Sequence, residues 1–193
     1  RRLEIHLKIA RLLFKSYSKT DLKENVFTIV EHYNKTIAVL ETDEKLSLAA
    51  LNLMAGVKAK ASSAFHLAYY YFNTGLSLIS SATWECDYQL ALKLHSNMAE
   101  AAFLRQDHDM MGLMIRSVQK HAKSPLDQAD VFETYLLALS FDHQYLKAIS
   151  EGVRFLHKLH VSLPQKAGTQ HILLALLKTN FQLKGVTSEM IAS

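Results

Sequence analysis

The chain has 193 residues, 49% of them hydrophobic, with 22 basic and 18 acidic side chains for a formal net charge of +4. That apolar fraction excludes a disordered chain and supplies a sizeable core, while only 6 glycines and 2 prolines favour long helices over a turn-rich β fold. The basic excess falls in residues 1–60, 11 against 7, without forming a run, so nucleic acid is not the expected partner.

Taken in chain order, Leu3, Leu7, Ala10 and Phe14 mark one face of a first helix. A second follows Asp21 as cap, with Glu24 at the capping-box position. The pattern predicts a third helix over 43–61 and a fourth over 63–78. Trp84, Tyr88, Ala91, His95, Met98 and Ala102 recur every three or four residues, predicting a single long fifth helix. Asp107-His108-Asp109 breaks it, and Met111, Ile115, Val118 and Ala122 carry a sixth. Ser124-Pro125-Leu126-Asp127 opens a seventh that runs to Phe141. Ser accepts from a free N–H, Pro suits the first turn, and Asp suits the positive end of the helix. An eighth spans 144–159, Pro164 stops the pattern, and a last helix runs from Thr169 to Gly185. No strand-like alternation and no Gly/Ser linker interrupts this order. The fold class expected is all-α.

Hairpins in series call for a search at periods near 34 residues. Ala68, Phe72 and Gly75 carry the small, bulky, small spacing of a second repeat helix. Met111, Ile115 and Val118 keep the spacing with larger side chains, and Ala148, Gly152 and Phe155 keep it with bulk inverted. The anchors lie 43 and 37 residues apart, so the repeats are degenerate and extended. This spacing resembles tetratricopeptide repeats and implies a right-handed α-solenoid of antiparallel hairpins over about 43–79, 84–122 and 126–160, flanked by helices over 1–35 and 169–185. Residues 1–193 then form one helical repeat domain. Ala68 is expected in a tight helix–helix contact.

A second resemblance covers nearly the whole chain. Its motifs are Ile5-His6-Leu7-Lys8-Ile9, Asn25 to His32, Leu51-Asn52-Leu53-Met54-Ala55-Gly56-Val57-Lys58-Ala59-Lys60-Ala61-Ser62, Thr74-Gly75-Leu76, Trp84-Glu85-Cys86-Asp87-Tyr88 and Leu163-Pro164. In this order they resemble the helical region that follows the ATPase module in large bacterial multi-sensor signalling proteins. Those combine a serine/threonine-kinase-like domain, a signal-transduction ATPase, a GAF-type sensor and often a histidine kinase of the two-component type. The resemblance implies a helical arm between a nucleotide-driven switch and a sensory output. The phosphate loop, kinase motifs and phospho-acceptor motif of such proteins are not in this sequence. The chain opens Arg1-Arg2-Leu3 without Met and enters a helical pattern at once, which reads as a piece of a longer protein and not as a signal peptide.

Candidate chemistry is sparse. His157 and His160 stand three apart, without an acidic or Cys neighbour to complete a metal site. Asp107-His108-Asp109 offers ligand types, but Asp and His also serve as turn and cap residues there. Cys86, flanked by Glu85 and Asp87, is a poor nucleophile and is expected to be partly buried. As the one cysteine it forms no intrachain disulfide, which points to a reducing compartment. In Tyr69-Tyr70-Tyr71-Phe72, core packing with one exposed Tyr is expected. The longest apolar stretch, 46–57, contains Ser47 and Asn52 between Lys45 and Lys58, so no membrane span is expected and the location is cytoplasmic. No catalytic residue, cofactor or metal is expected, and the chain is not an enzyme.

In repeat scaffolds of this kind the first helix of each hairpin lines the concave face. That register selects Leu53, Val57, Lys60 and Ala61; then Lys93, Ser96, Glu100 and Phe103; then Asp130, Glu133, Leu137 and Phe141. The core of this candidate groove is Leu53, Val57, Lys60, Lys93, Glu100, Phe103, Glu133, Leu137 and Phe141. Mixed charge with apolar patches suits a peptide or helix partner. Two roles follow. In one the chain is a regulatory arm docking other domains of its parent kinase or ATPase. In the other it is a recognition module for a separate protein, peptide or small inducer.

Overall fold

The computed structural model describes residues 2–161. Among them every regular element is helical, with no strand. They comprise α1 (Arg2–Ser16), α2 (Lys19–Asn34), α3 (Thr42–Ala61), α4 (Phe65–Ser77), the short α5 (Thr83–Cys86), α6 (Tyr88–Leu104), α7 (His108–His121), α8 (Ala129–Phe141) and α9 (Tyr145–Lys158). Single 3₁₀ turns at Ile37–Val39 and Pro125–Gln128 precede α3 and α8. Residues up to Ala148 form one compact unit, and those from Ile149 belong to a second.

Three differences from the sequence expectation have local causes. The cap of α2 is Ser18, not Asp21. Asp21 is the third residue of the helix and closes a capping box, its carboxylate accepting the Ser18 N–H at 3.1 Å. The long fifth helix is two helices, because Asp87 leaves helical geometry (φ −141°, ψ 72°) and its side chain accepts the Leu90 N–H as cap of α6. Cys86 is exposed rather than partly buried. It lies two residues past the buried Trp84, so helical geometry turns it to the opposite side of α5. The helix expected over 169–185 lies outside the described residues.

The core of the first unit is densest where α3 meets α4. Gly56 faces Phe72, and Asn52 and Ala49 face Gly75, so the two helices run antiparallel. Ala49, Ala55, Ala68 and Phe72 are fully buried. A Cβ at Gly56 would clash with Cδ1, Cε1 and Cζ of the Phe72 ring, so the ring could keep this approach only over a glycine. Asn52 is completely buried at the α2–α3 contact, and its amide exchanges a reciprocal pair of bonds with Asn34, at 2.9 and 3.0 Å. Both polar ends are thereby satisfied without water. α6 runs beside both α3 and α4, closes onto α7 and meets α8.

One loop geometry recurs. After α3, Ser63 adopts φ 57°, Ala64 N–H bonds Ala59 C=O and Ser63 N–H bonds Lys60 C=O. Gln106, after α6, repeats this with Asp107 to Ala102 and Gln106 to Phe103. His143, after α8, repeats it with Gln144 to Leu139 and His143 to Ser140. Each is a Schellman turn with a non-glycine residue in the left-handed position. Each left-handed residue stands five before one of the anchors Ala68, Met111 and Ala148. In the second unit α9 ends on the same turn, with His160 left-handed and Val161 N–H on Leu156 C=O. Phe155 of α9 is buried, and Glu151 pairs with Arg154 on the helix surface.

Candidate functional site

α3, α6 and α8 bring their polar residues to one cleft of about 290 Å³. From α3 comes Lys60, whose ammonium donates to Asn97 Oδ1 at 3.0 Å and pairs with the Glu100 carboxylate. From α6 come Ser96, Asn97 and Glu100, and from α8 come Asp130, Glu133, Thr134 and Leu137. The positions follow helical spacing: Ser96 and Glu100 are one turn apart, as are Asp130 and Thr134, and Glu133 and Leu137.

The cleft is unevenly satisfied. Lys60 and Glu100 neutralise one another. Thr134, 3% exposed, donates its hydroxyl to the Asp130 carbonyl at 3.1 Å, leaving oxygen lone pairs to accept. Asn97 spends one donor on the Lys93 carbonyl. Ser96 is 4% exposed, and its Oγ is the one buried side-chain polar atom without a partner among the described residues. The exposed carboxylates of Asp130 and Glu133 have neither a hydrogen bond nor an ion pair there.

Of the groove residues expected from sequence, Lys60, Glu100, Glu133 and Leu137 meet in this cleft. Phe103 and Phe141 meet each other edge to face, with centroids 6.3 Å apart, one turn further along α6 and α8. Leu53 is half-buried against the core, while Val57 and Lys93 are exposed; none of the three lines the cleft. Ser96 and Asp130 were projected onto the same face and do line it. Asn97 and Thr134 were missed. Thr134 follows Asp130 by one turn, which was the available signal; Asn97 sits at the edge of the projected stripe.

The remaining polar clusters are committed to structure. Asp107 caps α7 through the Met110 N–H at 3.1 Å and accepts the Tyr69 hydroxyl at 2.8 Å. The Met110 amide first, then Tyr69, holds its carboxyl below the usual carboxylate range. Asp127 accepts the Tyr88 hydroxyl at 2.6 Å and the Lys123 and Ser124 N–H groups at 3.0 Å, and its carboxyl is likewise lowered, by Tyr88 foremost. Arg105 and Lys123 lie over the Tyr69 and Tyr88 rings, so both tyrosine–aspartate locks carry a cation. Trp84 stacks on His121 with centroids 4.7 Å apart and tilts against His95, whose basicity burial lowers. His6 and His32 approach Nδ1 to Nδ1 at 2.8 Å, so one ring donates and the other accepts. Tyr70 is the exposed member of its aromatic run, Tyr71 and Phe72 are buried, and Tyr69 is half-buried. His157 ends α9 one residue before its last, and His160 lies in the following turn. Among the described residues no group of three His, Cys, Asp or Glu side chains stands together as a metal site, and no helix is long and apolar enough to cross a membrane.

No family model matches the chain, and no solved structure matches it. It is similar, at 25% identity over 188 residues, to the hybrid signal transduction histidine kinase G of Dictyostelium discoideum. The match covers 83% of this chain and 5% of that protein, so the chain spans a small part of the curated relative it matches. That relative is not bacterial.

Proposed function

We propose that this chain is a non-catalytic interaction scaffold of tetratricopeptide-like hairpins, working as a cytoplasmic regulatory arm within a larger signal-transduction kinase or ATPase. The observation that carries it is the recurring helix–turn–helix unit. The left-handed turn residues Ser63, Gln106 and His143 keep constant distance from the anchors Ala68, Met111 and Ala148. Repeats of this kind contact mainly their neighbours and stabilise one another pairwise. The small share of the histidine kinase that the chain matches suits one arm among many domains. The unpartnered groups of the cleft favour a second reading, a recognition module for a separate protein, peptide or small inducer.

An arm of this type couples two sites only if its groove favours one state of the switch. The test substitutes exposed apolar residues beside the groove. Val57→Glu and Phe141→Glu, both exposed (43% and 62%), should leave helicity by circular dichroism unchanged. Phe103 is packed on the core and makes a poorer probe. In the kinase that carries the chain, both variants should change ATP hydrolysis or autophosphorylation at least severalfold, because docking would bury an unpaired charge. Unchanged output from folded variants, or ATP turnover by the isolated chain, would overturn the reading.

A further inference from the structure

The α3–α6–α8 cleft deepens that reading, and its ligand chemistry follows from what is left unsatisfied. The surplus at the cleft is acceptor and negative charge. Asp130 and Glu133 have no counter-ion among the described residues, Thr134 has spent its donor, and the buried Ser96 Oγ has no partner. A buried hydroxyl without a partner is destabilising, and the lone pairs of Ser96 Oγ can accept from an incoming N–H donor. Lys60, the one basic residue lining the cleft, is already held by Glu100 and Asn97. An anion would meet two free carboxylates. A bare metal ion is a poor fit, because the acidic side chains are too dispersed to form a ligand cluster. A volume of about 290 Å³ instead suits a planar or extended group that spans separated acceptors.

We propose that this cleft binds an organic cation rich in N–H donors, a guanidinium or alkylammonium group, held by Asp130 and Glu133 with Ser96 Oγ beneath it. A guanidinium has five donors and no acceptor, the complement of this lining. The Leu137 side of the cleft continues into Phe141, 62% exposed and packed on Phe103. An arginine followed by an apolar residue in an extended segment would use both parts. A free guanidine would use the polar part alone. This ligand assignment rests on the scaffold reading.

The test is calorimetric titration of the whole chain at low salt with two probes: an acetylated, amidated peptide carrying Arg-Leu, and agmatine. The same peptide with citrulline in place of arginine is the neutral control. The arginine peptide should bind about tenfold tighter than the citrulline peptide, the scale of one charge-assisted hydrogen bond. Glu133→Gln should weaken it by a similar factor, and Ser96→Ala severalfold. Lys60→Met, which frees Glu100, should tighten it; a merely structural role for the cleft would not produce that opposite sign. Peptide binding at least tenfold above agmatine supports a protein source for the cation, and equal binding supports a small amine. Equal affinity for arginine and citrulline peptides, or no binding by either cation to a chain of normal helicity, overturns the proposal. If that happens while Val57→Glu and Phe141→Glu still alter kinase output, the ligand assignment falls and the scaffold reading stands.

Discussion

The α3–α4 and α6–α7 pairs fill their interiors with different side chains. In α3–α4 the backbones approach because Gly56, Ala68 and Gly75 remove side-chain bulk, and the Phe72 ring occupies the space over Gly56. In α6–α7 the buried residues of α7 are Met111, Met114, Ile115 and Val118, flexible or large side chains, while α6 buries Met98 together with the small Ala91, Ala99 and Ala102. The glycines show the difference. A Cβ at Gly56 of α3 would clash with Cδ1, Cε1 and Cζ of the buried Phe72 on α4, whereas one at Gly112 of α7 would meet only the far end of the Arg116 side chain, at 3.2 Å. The same residue type is thus a packing requirement in one hairpin and an unexploited weakness in the next.

Three substitutions test this contrast. The largest effect is expected at Gly56→Ala, which drives a methyl into a fully buried ring and should destabilise by about 1–3 kcal/mol in denaturant unfolding. Pairing it with Phe72→Leu should recover part of the loss; additive losses would show that the ring is not the obstruction. Next is Asp107→Ala, which removes the α7 cap and the Tyr69 partner together and should cost about 0.5–2 kcal/mol. Because the folded Asp107 carboxyl is lowered, its contribution is present above the usual carboxylate range and is lost as pH falls through the folded value. The variant and the parent should therefore converge in stability on acidification; a gap constant down to acid would contradict the charged cap. The smallest effect is Gly112→Ala, expected to stabilise by about 0.5–1 kcal/mol because helix propensity improves without a clash. A destabilising result would mean that α7 lies closer to its neighbours than Arg116 allows.

The division between sequence and tertiary structure follows the range of the forces involved. Helix positions were legible in the 3.6-residue recurrence of apolar side chains, and the anchors Ala68, Phe72 and Gly75 were legible because small residues at that spacing mark a close approach. The Schellman turns were not. Ser63, Gln106 and His143 occupy left-handed positions where glycine is the usual signal. The break at Asp87 was hidden because the apolar rhythm of Trp84 and Tyr88 continues across it, while the cap bond to Leu90 depends on a backbone dihedral that composition does not encode. For the groove, the sequence alone identified which faces of α3, α6 and α8 carry Lys60, Glu100, Glu133 and Leu137. Only the packing of three helices remote in sequence decided that these converge while Leu53, Val57 and Lys93 do not. It also paired Lys60 with Glu100 and left Ser96 Oγ without a partner. A side chain's face is a local property of its helix. Its partner is set by where the other helices come to rest.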